Sequence, residues 1–334
     1  MTRPGTATSV DVTVVVVTWQ GAHLLRSCLD SLRLQDLAHD LLVVDNASTD
    51  KTRELLREQY PEARTLLLER NTGFAGGLAA ALSLIQTRYF AVLNNDAQAD
   101  AGWLRDCCSC LDDNPHVAAI SPLMVLKDRP STVNNAGVVL ERSGYGSDRG
   151  LGEPDNDRFA QPANVFGASG GAGVFRTLAV KAVGGIDPDY FMYYEDTDLS
   201  WRLRLAGWQV RYCPTATVRH RHAASSDVQS SGFAFYNERN RLVTLMRCAP
   251  PGFVGRAMAR HLLTTASLSV KTATRSRPPQ AVFDPRLRLR AFGSAVRTAR
   301  RSFQARSLST AAQRRTVLRE WAGVESKPVD QTSR

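Results

Sequence analysis

The sequence predicts an α/β protein: a mostly parallel central sheet with helices on both faces, followed by a helical C-terminal extension. Three observations lead there. Short β-branched runs alternate with stretches of helical apolar spacing up to Asp96. Several of those runs stop at polar punctuation, Thr18-Trp19-Gln20, Asp45-Asn46 and Asn94-Asn95-Asp96. Past Phe233 the chain reads as helices to its end, interrupted at Pro250-Pro251 and Pro278-Pro279.

The run VTVVVVT at 12–18 reads as a buried strand, too short to span a membrane. Residues 22–34 repeat apolar side chains at helical spacing, with Leu24, Leu25, Cys28 and Leu32 on one face. A second strand at 40–44 ends at Asp45, a helix fits 51–59 and a third strand fits 64–69. An Ala/Leu helix at 76–86 precedes a fourth strand at 89–93. In open α/β sheets, ligands sit at the carboxyl ends of the strands, which puts a site at these polar strand ends. From 117 to 176 shorter strands and loops are expected, with a mobile loop at the Gly-, Asp- and Arg-rich stretch 141–161. Later come a helix at 177–183, one beginning near Asp198 and closed by Gly207, and a strand at 208–213. These boundaries divide the chain into a disordered start at 1–10, an α/β domain at 11–248 and a basic helical extension at 249–334.

With 334 residues and 43% hydrophobic content the chain can bury a large core, which excludes a disordered protein. Its net charge of +10 is uneven: residues 250–320 hold fifteen Lys and Arg against Asp284 and Glu320. That segment is therefore +13 and the remainder −3, an asymmetry that suggests a polyanionic partner for the tail. The six cysteines form no disulfide framework. The C-x-x-C at 107–110 has no second pair at zinc spacing and reads as small apolar residues on a helix. No apolar signal core opens the chain, and a cytoplasmic location is expected.

There is no G-x-G-x-x-G after the first strand and no G-x-x-x-x-G-K-[ST] anywhere, which argues against dinucleotide and P-loop enzymes. A diphosphate bound without a glycine cradle is usually neutralised through a divalent metal on one or two carboxylates. Asp96 is a candidate ligand, or else a turn residue capping the helix that starts near Ala101. The stretch YYEDTDLSW at 193–201 packs Glu195, Asp196 and Asp198 against aromatics. Either these acids sit on the positive end of a helix dipole, or they serve a site that needs carboxylates.

The combination VVVVTWQ (14–20), VVDNASTD (43–50), RNTGFAGG (70–77), LNNDA (93–97), GGIDPDYFMYYEDTDLSWRLRLAGW (184–208) and His220 resembles glycosyltransferase family 2, whose members have the GT-A fold. It is most similar to the rhamnosyltransferase-type enzymes of bacterial cell-envelope assembly. The resemblance covers about residues 12–240 and implies an inverting, metal-dependent transfer of one sugar from a nucleotide-diphosphate donor, with dTDP-rhamnose the first candidate. It implies that Asp96 and His220 hold Mg2+ or Mn2+. Thr18, Asp45, Asn71, Gly73, Asn94 and Asn95 would line the nucleotide-sugar pocket. Asp196 would be the general base, with Glu195 beside it. Tyr194, Trp201 and Arg202 are expected at the acceptor, a glycan or a polyprenyl-linked sugar. The sequence departs from the family at Leu78-Ala79-Ala80-Ala81 and at Asn94, where the first acid of the D-x-D element is missing. The Q-x-x-R-W element of processive members is absent, which fits single-sugar transfer.

In the tail, seven arginines from Arg286 to Arg306 interleave with Leu287, Leu289, Phe292, Val296 and Phe303. A basic amphipathic helix reads as a binder of an anionic membrane surface, or as a solvated face. Polyprenyl-linked acceptors favour the former, at the inner face of the cell membrane. A sugar nucleotidyltransferase of related fold would need an N-terminal Gly-rich loop with a Lys, and VTWQGAHLL has neither. A non-enzymatic polyanion binder would leave the acid block unexplained, and no nucleic-acid-binding motif appears.

Overall fold

The computed structural model describes residues 10–221, 230–273, 280–304, 306 and 309–329. The expected disordered start, except for its last residue, lies outside that range, as does Pro278-Pro279.

The first half runs β1 (Val12–Thr18), α1 (Ala22–Arg33), β2 (Asp40–Asp45), α2 (Thr52–Gln59), β3 (Arg64–Leu67), α3 (Gly73–Leu84), β4 (Tyr89–Val92), β5 (Ala97–Ala99) and α4 (Trp103–Asp112). It continues through β6 (Val117–Leu126), β7 (Arg129–Asn135), β8 (Val138–Leu140), β9 (Gly146–Asp148), β10 (Ala163–Asn164), β11 (Val174–Arg176) and α5 (Thr177–Ala182). Then come α6 (Glu195–Leu205), β12 (Gln209–His220) and the helices α7 (Ser231–Cys248), α8 (Pro251–Ala273), α9 (Pro285–Arg297), α10 (Ala299–Gln304) and α11 (Ala311–Trp321), closed by β13 (Lys327–Pro328).

Among the described residues, one large sheet has the order β13-β10-β12-β6-β11-β4-β1-β2-β3, with β5 added to β12 and β7 to β6. The strands β4, β1, β2 and β3 are mutually parallel, β11 is inserted antiparallel, and β6 and β12 are again parallel to each other. Both faces are covered, and β1 shows why its sequence is apolar throughout. Val14 and Val16 face α1 and α4 residues such as Leu25, Leu29 and Trp103, while Val15 and Val17 face α3 residues such as Leu78 and Leu82. Cys107 and Cys108 are buried on α4 as small apolar side chains, and no disulfide forms among the described residues.

Three features differ from the sequence reading. The stretch 141–161 is built around the β8–β9 hairpin and a short turn of helix at Asp157–Phe159 rather than a free loop. β12 does not stop at Cys213; it passes an irregularity between Cys213 and Thr217 and carries on to His220. α6 begins at Glu195, three residues before the expected start, so all three acids lie in its first turn.

The tail is packed onto the sheet it follows. Trp321 of α11 lies against Phe166 and under the Arg204 guanidinium, and β13 pairs with β10 at the sheet edge. Arg288, expected on the exposed basic face whether lipid-bound or solvated, is buried; it binds Glu238 of α7 at 2.8 Å, alongside His261 of α8. No helix among the described residues is long and apolar enough to cross a membrane.

Candidate active site

β1 lies between β2 and β4, so the loops after these three strands open at one sheet edge. Thr18 ends β1, and its Oγ1 accepts from Asn95 Nδ2 at 3.0 Å. Asp45 ends β2 fully buried; its carboxylate accepts from Ser48 N–H at 3.0 Å and from Arg53 Nε at 2.5 Å. Gln20 ties the two loops together through Ser48 and Thr49. Asn46 Oδ1 accepts from Thr72 N–H and its Nδ2 donates to Gly73 O, while Asn71 Oδ1 accepts from Gly73 N–H. Only glycine fits at Gly73: φ is +73°, and a Cβ would stand 2.1 Å from Phe191 O. The donor-pocket residues expected from the sequence therefore converge on one edge, and Gly73 joins that edge to the aromatic run before the acids.

Asp96 follows β4, and His220 arrives beside it at the end of β12, with Asp96 Oδ1 3.0 Å from His220 Nε2. Asn134 of β7 faces the other ring nitrogen, with Oδ1 2.8 Å from Nδ1, and Asn94 Nδ2 lies 3.4 Å from Nε2. Asp96 Oδ1 and His220 Nε2 thus stand 3.0 Å apart, one a carboxylate oxygen and the other an imidazole nitrogen, both of them metal-ligating atom types. Adjacent ligands on an octahedral ion with bonds of about 2.1 Å stand about 3 Å apart, so the pair fits a divalent cation. No group of three or more His, Cys, Asp or Glu ligands gathers among the described residues, so an ion here would take its remaining ligands from a diphosphate and water.

The acids of α6 are presented by strained backbone. Phe191, Tyr193 and Tyr194 have φ of 63°, 67° and 71°, a region unfavourable for aromatic residues. Asn240 of α7, fully buried, holds this run: its Nδ2 lies 2.8–2.9 Å from the carbonyls of Tyr190, Met192 and Tyr193. The run ends at the N-terminus of α6, where acids are favoured.

The three acids then differ by environment. Asp196 opens to a cleft of about 220 Å3 lined also by Tyr193, Tyr194, Asp148, Phe233 and Asn237. Its Oδ2 accepts from Gly170 N–H at 3.1 Å, and its Oδ1 from Thr197 N–H and Oγ1. Burial raises its pKa, against the downward pull of these bonds. Glu195 is more deeply buried, and burial, then the charge of Asp196, raises its pKa. Both carboxyls of this adjacent pair are therefore held above their ordinary range, and the hydrogen bonds donated to Asp196 favour its charged form. Asp198 faces the opposite way, into the protein, and binds Arg202 at 2.7 Å and Arg247 at 3.0 Å.

The loop 169–173 joins the turn that carries Asp96 to the cleft at Asp196. Gly171 O accepts from Asn94 N–H at 2.9 Å, next to the Asp96 turn, while the adjacent Gly170 N–H holds Asp196.

Two acceptor expectations change. Trp201 has no exposed surface and packs edge-on against Phe166, and Arg202 is buried on Asp198 and Val183 O; neither reaches the cleft. Glu195 and Asp196 line the cleft from the first turn of α6, whereas Asp198, Trp201 and Arg202 are buried in the protein. Tyr194 does line the cleft, with its hydroxyl accepting from Gly146 N–H at 3.1 Å. Asn134, Asn135, Asp148 and Asn240 were missed. Each is an amide or acid in a segment with no distinguishing spacing, and only tertiary pairing brings it to the site.

A model of "Glycosyl transferase family 2" matches residues 13–181. Similar proteins include the N-acetylglucosaminyl-diphospho-decaprenol L-rhamnosyltransferase of Mycobacterium tuberculosis, 30% identical over 239 residues that cover 64% of this chain and 76% of that one. The galactofuranosyltransferase GlfT1 of Mycolicibacterium smegmatis is 30% identical over 217 residues, 63% of this chain and 70% of its own. Among solved structures, the mannosyltransferase PcManGT from Pyrobaculum calidifontis, in complex with GDP-Man and Mn2+, aligns with a TM-score of 0.53 at 19% identity, covering 93% of this chain and 86% of that one. GalNAc-T7 with UDP, GalNAc and Mn2+ aligns with a TM-score of 0.64 at 11% identity, over 94% of this chain and 57% of the larger one. These likenesses establish the GT-A fold.

Proposed function

We propose the following reaction for this chain, which belongs to glycosyl transferase family 2 and is a glycosyltransferase: an inverting transfer of one sugar from a nucleotide-diphosphate donor to a hydroxyl of a cell-envelope glycan or polyprenyl-linked acceptor. L-Rhamnose from dTDP-rhamnose is the first candidate, because a rhamnosyltransferase is among the relatives that match at 30% identity.

The observation that carries the reading is the pairing of Asp196 with the Asp96 turn through Gly170-Gly171. Asp196 takes the proton from the acceptor hydroxyl as its oxygen attacks the anomeric carbon from the face opposite the diphosphate. The bond to the diphosphate breaks and the configuration inverts. Glu195, holding its own proton, keeps a second charge away from Asp196. Asp96 and His220 would hold Mg2+ or Mn2+, which supplies charge neutralisation for the leaving diphosphate. The aromatic wall of Tyr193, Tyr194 and Phe233 offers apolar faces to the CH groups of the acceptor sugar.

Peripheral binding at the inner membrane face is part of the same reading. Leu289, Val296 and Phe303 are exposed beside the exposed Arg286, Arg290, Arg297 and Arg300, which suits an anionic lipid surface.

The test is thermal denaturation with UDP, dTDP or GDP, each with and without Mn2+. A melting-temperature rise that needs both one nucleotide and the metal is expected. No rise under any of these conditions would refute the donor site.

A further inference from the structure

Behind β9 lies a second cavity, of about 410 Å3, whose wall includes Glu141, Arg142, Arg149, Glu153 and, from the C-terminal extension, Glu325. Ser147 and Asp148 line both this cavity and the catalytic cleft, so the two meet along the edge of β9. That edge is built with care. Gly146 stands so close to α6 that a Cβ would lie 2.6 Å from Thr197 Oγ1. Asn135 donates to Asp148 Oδ1, directly after Asn134 has turned to His220. Adjacent residues of one strand therefore orient the cation-side histidine and the cleft-side acid.

The lining decides the occupant. The cavity volume lies within the usual range of about 300–1,000 Å3 for small-molecule sites. Its walls are predominantly polar, unsuited to an isoprenoid tail. Its acids outnumber its arginines, and Glu153 and Glu325 are both bound by Arg158, so it offers a diphosphate no net positive field. Interspersed carboxylates and guanidiniums suit neutral vicinal hydroxyls, which donate to the former and accept from the latter.

We propose that the acceptor binds across the edge of β9: Asp148 accepts hydrogen bonds from the sugar that reacts at Asp196, and the second cavity holds the next sugar of the acceptor chain. This rests on the glycosyl-transfer reading above. It makes the acceptor a glycan of at least two units and gives the C-terminal extension, through Glu325, a part in recognising it.

The experiment uses the full chain, dTDP-L-rhamnose and a panel of octyl mono- and disaccharides of N-acetylglucosamine, rhamnose and galactose. The best monosaccharide is compared with disaccharides that end in the same sugar. A disaccharide is expected to exceed it in kcat/KM by about tenfold or more, the worth of one good polar contact. Glu141→Gln with Arg142→Ala should bring the two within about twofold while the monosaccharide rate stays unchanged. Asp148→Asn should raise KM for both acceptors about tenfold, with Mn2+-dependent nucleotide binding intact. Equal kcat/KM for mono- and disaccharide in the unmodified enzyme overturns the second subsite, as does a full disaccharide preference in the double variant. Transfer to no acceptor while nucleotide still binds counts against the proposed reaction and takes the subsite with it.

Discussion

Replacing Asp198 by Asn separates the structural acid of the first turn of α6 from the two proposed to serve the chemistry. The carboxylate is 1% exposed and binds Arg202 and Arg247, whose side chains are themselves 8% and 14% exposed. The amide keeps the shape but removes the charge and turns an NH2 toward one guanidinium. Asp187 then remains to Arg247 at 2.7 Å, and Arg202 has no carboxylate among those contacts. Breaking one side of a buried ion pair costs about 3–5 kcal/mol. At about 2.1 cal/mol/K per residue, unfolding 334 residues carries an entropy of about 0.7 kcal/mol/K, so the melting temperature should fall by about 4–7 °C. Burial alone would raise the pKa of Asp198, but Arg202 and Arg247 outweigh it and hold the carboxyl below its usual range. A group depressed in this way contributes stability above its unfolded pKa of about 3.9 and loses it as pH falls through the folded value. The gap between wild type and Asp198→Asn, measured by circular dichroism melts, should therefore be full at neutral pH and shrink under acid. A melting temperature within about 1 °C of wild type at pH 7 would refute the buried network and return Asp198 to the role of a simple helix cap, worth about 1 kcal/mol or less as Asn.

Asp96→Ala should abolish Mn2+-dependent nucleotide binding, read by calorimetry, without unfolding the protein; unchanged affinity would remove Asp96 from the donor site. Asn134→Ala should weaken that metal dependence by about 10–100-fold through loss of the bond that orients His220, and an effect equal with and without Mn2+ would contradict this. Truncation after Pro250 would strip β13 and Trp321 from the sheet, so the basic face is better tested by Arg286→Ala with Arg290→Ala, Arg297→Ala and Arg300→Ala. The quadruple variant should lose sedimentation with anionic vesicles, and salt should weaken the intact protein's binding; equal sedimentation with neutral vesicles would exclude electrostatic docking.

The parts legible in the sequence are those whose burial is local. VTVVVVT could be read as a two-faced buried strand because every residue from Val12 to Thr18 is indeed covered. Thr18, Asp45 and Asp96 could be placed because strand ends in a parallel sheet share one edge. What could not be read depends on pairing across long separations. β12 contains Pro214, which hid its continuation to His220 beside Asp96, and only the irregularity after Cys213 accommodates it. Arg288 has the spacing of an exposed basic stripe, and the partner that draws it inside, Glu238, lies fifty residues earlier on α7. The start of α6 at Glu195 could not be read either, because that boundary is set by the left-handed Tyr194 rather than by any capping residue.

The central claim is that Asp196 takes the acceptor proton. It is tested most directly by steady-state transfer with fixed donor and acceptor, comparing Asp196→Asn and Glu195→Gln with wild type and measuring nucleotide binding alongside. Asp196→Asn should lower kcat by about 10²–10⁴-fold with donor affinity preserved, and Glu195→Gln should cost less. Near wild-type turnover in Asp196→Asn with an inactive Glu195→Gln would move the base one residue back. Full activity in both variants would make the acids of α6 structural and contradict the mechanism.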